Sequence, residues 1–449
     1  MAAGAAHREF SPQYLHEILS SLPTPAVYWV AYSGGCDSNV LLHAMATLAP
    51  RLNGSEVRAI HVDHGLHPDS ATWAQHCVGT CRELGIDCIV ETVRVDRGSG
   101  VGLEAAARSA RYAALRRHVV ETHILLTAHH RDDQAETVLL QLLRGGGAHG
   151  LAAMPLLATF GAGRLARPLL SVARSDIKKY AQHHDLYWVE DPSNFDTTLG
   201  RNFVRHDIMP RLEIRWPEAG AILARGAARF AEIADLIDTL AHQDLRRLVD
   251  AKSAGLHIDK LLQLPHNRRK NAIRGWLRKA GIRSPSPDIY ERLEPELLRA
   301  GPDAAPILAW RGGQFRRYRD RLFVFTSLPD APEAFCERWP LVGKFALPPG
   351  LGFLRVVKRP GRGLSRAVAG RSDVTVRFRR GGEHIVPVGR GHKHSLKKLF
   401  QEHGVAPWWR ERMPLVYVGD SLAAVPGVCV AAKYAAAQDE QGLWVEWRR

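Results

Sequence analysis

The side chains best placed to do chemistry fall in two short stretches. Residues 33–38 read Ser-Gly-Gly-Cys-Asp-Ser and follow the apolar run Val27-Tyr28-Trp29-Val30-Ala31-Tyr32. That run reads as a buried strand, and Val40-Leu41-Leu42 beyond the turn begins a helix. A Ser/Gly turn between strand and helix aims backbone N–H groups at one point, at the positive end of the helix dipole, and so holds an anion, usually phosphate. Gly34 and Gly35 let the backbone approach without a Cβ. Ser33 and Ser38 add hydroxyls, and Asp37 suits Mg²⁺ beside the phosphates. The second stretch, 128–137, reads Ala-His-His-Arg-Asp-Asp-Gln-Ala-Glu-Thr. It starts at a strand end and runs into a helix. Asp133 and Glu136 share one helical face, with His129 at the strand end. Two carboxylates at a helix N-terminus can bind a metal or an ammonium group. Asp132 is accounted for as the helix cap.

Stepping outward, the first 215 or so residues alternate strands and helices. Strands are expected over 27–32, 57–62, 88–95, 124–128 and 164–170, with helices over 73–84, 104–117 and 132–143. This alternation implies an α/β fold, a doubly wound parallel sheet. Its ligand crevice lies at the carboxyl ends of the strands, where Ser33, Asp63 and His129 all fall. From about Pro217 the periodicity is helical, over 221–237, 240–249 and 266–276. Residues 327–370 are rich in Pro and Gly and suit a connector. The last 80 residues read as a small α+β module, with a helix over 395–403 and strands near 415–418 and 428–430. The expected domains are therefore 1–216 (phosphate-binding, catalytic), 217–326 (helical), 327–370 (connector) and 371–449 (basic).

Composition narrows the partners. The 449 residues carry a formal charge of +15, and a balance this basic favours a polyanion such as nucleic acid. Within 371–412, ten Lys/Arg face four acids, with Trp408 and Trp409 nearby. A basic surface interleaved with aromatics can track phosphates and stack a base; Arg379, Arg380, Lys397 and Lys398 are the candidate contacts. The alternative is a solvated basic face with tryptophans in the core. The six cysteines form no C-x-x-C pair, which argues against a zinc ribbon, an iron–sulfur cluster or a disulfide scaffold. No apolar run is long enough to cross a bilayer, so no membrane partner is expected and the cytoplasm is the default location. The oligomeric state stays open.

Residues 33–38 match the S-G-G-x-D-S signature of the PP-loop pyrophosphatases, which cleave ATP between the α- and β-phosphates. Together with Asp63-His64-Gly65-Leu66, E-A-A-A-R-S-A-R-Y over 104–112, the 128–137 block and Leu143-Arg144-Gly145-Gly146-Gly147, the chain resembles the tRNA(Ile)-lysidine synthetase family. Arg167-Pro168-Leu169-Leu170, Asp191-Pro192-Ser193-Asn194 and Arg201-Asn202-Phe203-Val204-Arg205 extend the likeness. The resemblance implies ATP and Mg²⁺ as cofactors, and adenylation of the 2-carbonyl oxygen of the wobble cytidine in a CAU-anticodon tRNA(Ile). Attack by the ε-amine of L-lysine then expels AMP. It also implies a nucleotide-binding set of Ser33, Gly34, Gly35, Cys36, Asp37, Ser38, His61, Asp63, His64 and Arg144. Asp37 would hold the metal, and His129 would contact the phosphates or the adenylated intermediate. Asp133 and Glu136 would hold and deprotonate the lysine amine, and Arg201 and Arg205 would grip phosphate. Arg111 joins the substrate set, although Arg108 and Arg111 fit ion-pair structure equally. Three rivals compete with this reading: a PP-loop tRNA thiolase acting on an anticodon-loop base, a small-molecule PP-loop ligase, and a non-enzymatic RNA-binding module.

Overall fold

Strands in the first half alternate their side chains between two cores, and this sets the layering. The computed structural model describes residues 9–96, 102–250, 253–301, 304 and 306–448. They form two units, Met1–Ile237 and Asp238–Arg449.

In chain order the first unit contains α1 (Pro12–Ser20), β1 (Val27–Ala31), α2 (Cys36–Leu48), β2 (Glu56–Asp63), α3 (Ser70–Glu83), β3 (Asp87–Thr92), α4 (Leu103–His118), β4 (His123–Leu126), α5 (Arg131–Leu143), α6 (Ala148–Leu151), β5 (Leu157–Phe160), β6 (Gly163–Ala166) and α7 (Arg174–His183). Then come α8 (Gly200–Phe203), a π-helical turn at Val204–Ile208, α9 (Met209–Arg215) and the start of α10 (Ala219–Leu248). Successive side chains of a strand point to opposite faces. Accordingly Tyr28 and Val30 join one core with Leu41, Met45 and Ile177, while Val27 and Trp29 join the other with Leu115, Val119 and Phe160. Helices therefore cover both faces of the sheet.

The strand order is β3-β2-β1-β4-β6-β5. All pairings are parallel except β5–β6, an antiparallel hairpin at one edge. β5 was not anticipated, and β6 ends before Pro168, in keeping with proline's exclusion from an interior strand. The chain leaves β1 toward β2 and returns through β4 on the other side. The carboxyl ends of β1 and β4 thus form a topological switch point, where α/β sheets place their ligands.

The second unit departs from the expected helical domain. α10 runs unbroken through 238–240, and α11 (Ile258–Gln263), α12 (His266–Lys279) and α13 (Pro287–Leu293) pack with a four-stranded antiparallel sheet. Its strands are β7 (Leu256–His257), β8 (Ile307–Trp310), β9 (Gly313–Tyr318) and β10 (Arg321–Phe325). The arginines of β9 and β10 mask the apolar alternation that would have announced them.

Residues 327–370 are not a connector. They contain β11 (Cys336–Arg338), β12 (Lys344–Ala346) and β13 (Phe353–Pro360). Next come β14 (Val374–Phe378), β15 (His384–Ile385), β16 (His394–Ser395), α14 (Leu396–Glu402), α15 (Pro407–Arg410), β17 (Pro414–Val418), β18 (Ser421–Val425), β19 (Cys429–Val430) and β20 (Gln441–Arg448). β11 pairs with β14, and β13 pairs with β20 over eight residues. Trp339, Leu351 and Leu354 share a core with Val374, Val376 and Val445. The Pro and Gly residues mark turns between strands that belong to the terminal sheets.

Candidate active site

The residues after β1 turn sharply because Gly34 adopts φ +83°, and a Cβ there would stand 3.0 Å from the Cys77 sulfur. Gly35 caps α2, and the Ser38 hydroxyl donates to the Gly35 carbonyl at 2.9 Å while lying 3.0 Å from the Ser33 hydroxyl. The loop is held from outside as well: Val189 N–H donates to the Gly34 carbonyl at 2.9 Å, and the Asn39 amide donates to the Tyr187 carbonyl at 2.6 Å. The turn therefore opens on a cavity of about 330 Å³, a size suited to a small-molecule ligand.

Ser33, Gly35, Asp37, Ser38, His61, Asp63, His64, Arg111, His129 and Asp133 line this cavity. Sequence reasoning had given no role to Trp73, Tyr112, Val189, Asp191 and Asn194, which line it too; the motifs over 104–112 and 191–194 signalled Tyr112, Asp191 and Asn194. His61 is buried, and its Nδ1 lies 3.0 Å from the Tyr32 carbonyl. Burial holds its pKa down, against that bond and Asp63. Asp63 accepts from Gly65 N–H at 2.8 Å, which fixes the turn after β2. Arg111 places its guanidinium 5.9 Å from the Tyr112 ring centre.

Two expectations fail on geometry, those for Arg144 and Asp132. Gly34 shapes the turn and Cys36 opens α2, so both stay part of the loop although neither lines the cavity; the Cys36 thiol is pushed up to about 11, mainly by burial and then by Asp37. Arg144 is exposed at the far end of α5, ~16 Å along the helix from the cavity-lining Asp133. The glycines after it end that helix: Gly145 has φ +71°, the usual helix-terminating conformation. Asp132 is not the helix cap. His130 is, with Asp133 closing the capping box, and Asp132 accepts from Arg174 N–H at 3.0 Å.

Asp133 and Glu136 do share a helical face, and that face meets Arg201 and Arg205. Arg201 donates to Glu136 at 2.9 Å and to Asp133 Oδ1 at 3.1 Å. Arg205 donates to Glu136 at 2.6 and 3.0 Å and to Asp133 Oδ1 at 2.7 Å. Glu136 is 2% exposed. The two arginines therefore pair with the carboxylates rather than standing ready for phosphate, and both Glu136 oxygens are taken. The Asp133 carboxyl is held well below the usual carboxylate range: burial opposes this, but His130, Arg201 and Arg205 outweigh it.

The two adjacent histidines behave oppositely. His129 is pushed down to about 3, chiefly by burial, with Asp133 opposing and Arg167, Arg201 and Arg108 adding. It is neutral, with Nδ1 2.8 Å from the Thr127 hydroxyl. His130 is pushed up to about 10: burial works against this, but Asp133, Asp132 and Asp37 prevail. It is the residue that sequence reasoning missed.

The donor set fits Mg²⁺ held jointly with phosphates. Asp37 Oδ1 is buried without a hydrogen-bond partner. No group of three or more His, Cys, Asp or Glu residues among the described residues could hold a metal by itself. Mg²⁺ commonly takes one or two carboxylates plus substrate phosphates, and Asp37 at the anion-binding turn supplies such a ligand.

Of the basic candidates near the carboxyl end, Lys397 and Lys398 are exposed on α14, with no ion pair among the described residues. Arg379 lies 3.4 Å from Glu383, and Arg380 donates to the Glu333 carbonyl. Trp408 is 4% exposed, edge-on to Tyr318, Phe323 and Phe325. Trp409 is half-buried against Phe325 and Trp447. These tryptophans are core packing, not free platforms for a base. No helix of the described residues is long and apolar enough to cross a membrane.

Comparison with known proteins covers nearly the whole chain. The PP-loop domain family matches residues 9–212, the TilS substrate binding domain 256–323, and the TilS substrate C-terminal domain 374–447. The tRNA(Ile)-lysidine synthase of Coxiella burnetii is 40% identical over 437 residues, covering 97% of this chain and 96% of that protein. That of Alkalilimnicola ehrlichii is 43% identical over 430 residues, 95% of each. Among solved structures, the U34-tRNA thiolase NcsA of Methanococcus maripaludis, with its [4Fe-4S] cluster, aligns with a TM-score of 0.43 at 20% identity, over 49% of this chain and 77% of that one.

Proposed function

This chain belongs to the tRNA(Ile)-lysidine synthase family, and from that premise we propose that it joins L-lysine to carbon 2 of the wobble cytidine in a CAU-anticodon tRNA(Ile). The observation that carries the reading is the cavity at the switch point, where the Ser33–Ser38 turn and the His129/Asp133 strand end converge. It is strengthened by relatives of that name over nearly the full length. The same relatives favour this activity over the thiolase alternative.

The chemistry follows from what the substrate lacks. A ring carbonyl is a poor electrophile. In the first step its oxygen attacks the α-phosphorus of ATP and pyrophosphate leaves. In the second the neutral ε-amine adds to carbon 2, and AMP leaves with the former carbonyl oxygen. Ser33, Ser38 and the α2 N-terminus bind the phosphates. Asp37 would hold Mg²⁺, and the ion would supply neutralisation of phosphate charge. Neutral His129 donates or accepts a hydrogen bond and supplies no fixed charge. Arg111 provides a cation for phosphate.

The geometry refines the role of the carboxylates. Asp133 lines the cavity and stays ionised, so it orients the lysine ammonium electrostatically and is a poor proton acceptor. Before the amine adds, the proton goes instead to solvent or to a phosphate oxygen of the adenylate. Glu136 acts through the arginines as a clamp that fixes Asp133. Residues 1–216 form the catalytic part. The basic segments of 217–326 and 371–449 bind tRNA, with Lys397 and Lys398 as contacts. The enzyme works in the cytoplasm, where its substrates are. Incubation with ATP, radiolabelled lysine and total tRNA tests the proposal: label entering a single tRNA species, with AMP and pyrophosphate released, is expected. Absence of label from every tRNA would refute it.

A further inference from the structure

We propose that Arg108, Arg111 and Arg167 form a phosphodiester-binding track that leads the RNA strand carrying the target nucleotide from the surface into the active-site cavity. The inference rests on the function proposed above and names side chains that receive its polymeric substrate. Arg111 and Tyr112 line the cavity. Arg108 and Arg111 lie three apart on α4 and so share one face of it. Arg167 directly follows β6, and the pairing of β6 with β4 sets it beside the carboxyl end of β4, where Thr127 N–H donates to the Ala166 carbonyl at 3.0 Å. Tyr112 is the common centre. Arg108 Nη2 donates to its hydroxyl at 3.3 Å, and the Arg108 and Arg111 guanidiniums lie 5.0 and 5.9 Å from its ring centre. Arg167 completes the group: burial, with Arg108 adding and Tyr112 opposing, holds its guanidinium below the ordinary arginine range.

The cluster lacks its counter-charge. Arg201 and Arg205 are tied to Asp133 and Glu136, whereas Arg108, Arg111 and Arg167 have no ion-pair partner among the described residues. The acid that acts on Arg111 is Glu104, which is exposed and beyond ion-pair distance. Arg167 donates from Nη1 to the Pro155 carbonyl at 2.9 Å, and its Nε is buried without a partner. Like charges gathered without an acid repel one another, so the arrangement fits an anion that arrives from outside. Guanidiniums held over an aromatic face keep their N–H edges free to fork onto phosphate oxygens. Exposure decides between the phosphates of ATP and those of RNA. The Ser33–Ser38 turn already takes the nucleotide's phosphates. Arg108 stands outside the cavity in solvent, while Arg111 and Arg167 are half-buried. Cations that run from solvent to the cavity match a polymer whose phosphates pass the opening while one base goes in. Phosphate contacts fix register and carry no base information, so the track positions the target nucleotide rather than identifying it.

The test is filter binding of total tRNA to the full chain across a salt series, for wild type, Arg108→Ala, Arg167→Ala and the double variant. Each lost phosphate contact lowers the log–log salt slope by about one, so the double variant is expected to lose about two. The slope counts charges rather than forks, so Arg108→Lys with Arg167→Lys is expected to keep it. Binding of a fluorescent ATP analogue, measured without tRNA, is expected to match wild type. A double alanine variant with the wild-type slope overturns the proposal. Weakened binding of the ATP analogue with the slope intact also overturns it, because the cluster then serves the nucleotide. Urea denaturation checks folding. If the Arg167 variants do not fold, the exposed Arg108→Ala decides alone: a slope lower by about one supports the track, and an unchanged slope overturns it. Binding of tRNA by the wild type tests the reading above, and the difference between wild type and variant tests the track.

Discussion

Replacing Glu136 by alanine separates two roles for that carboxylate, lysine ligand or structural clamp. In the structure Glu136 accepts three arginine N–H bonds, of 2.6, 2.9 and 3.0 Å, at 2% exposure. Alanine leaves Arg201 and Arg205 sharing Asp133 Oδ1, at 3.1 and 2.7 Å, with Arg201 also donating to the Asp133 main-chain carbonyl at 3.3 Å. Breaking a buried ion pair by removing one partner costs about 3–5 kcal/mol. The arginine side chains are 26% and 19% exposed, so water recovers part of this and the low end, about 3 kcal/mol, applies. For a unit of this size each kcal/mol moves Tm by about 2–4 °C, so the expected fall is about 6–12 °C. Calorimetry on the full chain reads the transition of the first unit. Glu136→Gln, which keeps the volume and one acceptor oxygen, should fall between alanine and wild type. Unfolding within about 2 °C of wild type, combined with a raised KM for lysine, would refute the clamp and restore Glu136 as a direct lysine contact.

Three further outcomes follow from the same structure. Gly34→Ala should weaken ATP binding and cost roughly 1–2 kcal/mol, because φ +83° disfavours any Cβ; adding Cys77→Ala should recover little, and full recovery would mean that the clash rather than the backbone was limiting. Lys397→Ala with Lys398→Ala should reduce the log–log salt slope of tRNA binding by roughly two, whereas Arg379→Ala with Arg380→Ala should change it by less than about one; filter binding across a salt series tells them apart. Stability of the nucleotide-free protein should peak near the ordinary histidine pKa of 6.5. Below it, unfolded His129 takes a proton that the folded residue, at about 3, refuses, so stability falls with pH. Above it, the stabilisation from His130 is lost as pH rises toward about 10. Each proton contributes a limiting slope of about 1.4 kcal/mol per pH unit. Urea denaturation from pH 5 to 9, on the order of the range where histidines titrate, checks this; stability rising steadily to the alkaline end would contradict the His130 assignment.

The parts of this site legible in sequence are those written in consecutive residues. The turn at 33–38 and the strand-to-helix passage at 128–137 each carry their own geometry, through glycine, the preceding apolar run and helical spacing. The register of one residue at the second passage was not legible. Sequence alone does not say which of two adjacent histidines ends the strand and which caps the helix, yet that step makes one neutral and the other cationic. β7–β10 escaped notice because the strands are short, and β9 and β10 carry arginines among their apolar residues. β13 read as connector because its partner, β20, begins about 80 residues after it ends, and pairing at that distance leaves no local periodic signal.

The carboxylates show most clearly where spacing stops being informative. Asp133 and Glu136, three apart at a helix start, have the same pattern whether they await an ammonium group or already hold guanidinium groups. The partners lie 65 to 72 residues away, so only tertiary structure separates the cases. It separates the two acids from each other as well. Glu136 is enclosed with both oxygens engaged, while Asp133 offers one oxygen to the arginines, turns the other toward His130, and lines the cavity. On the function proposed above, an incoming lysine would therefore meet Asp133 first, a carboxylate polarised by cations on both sides that would orient the ammonium without taking its proton.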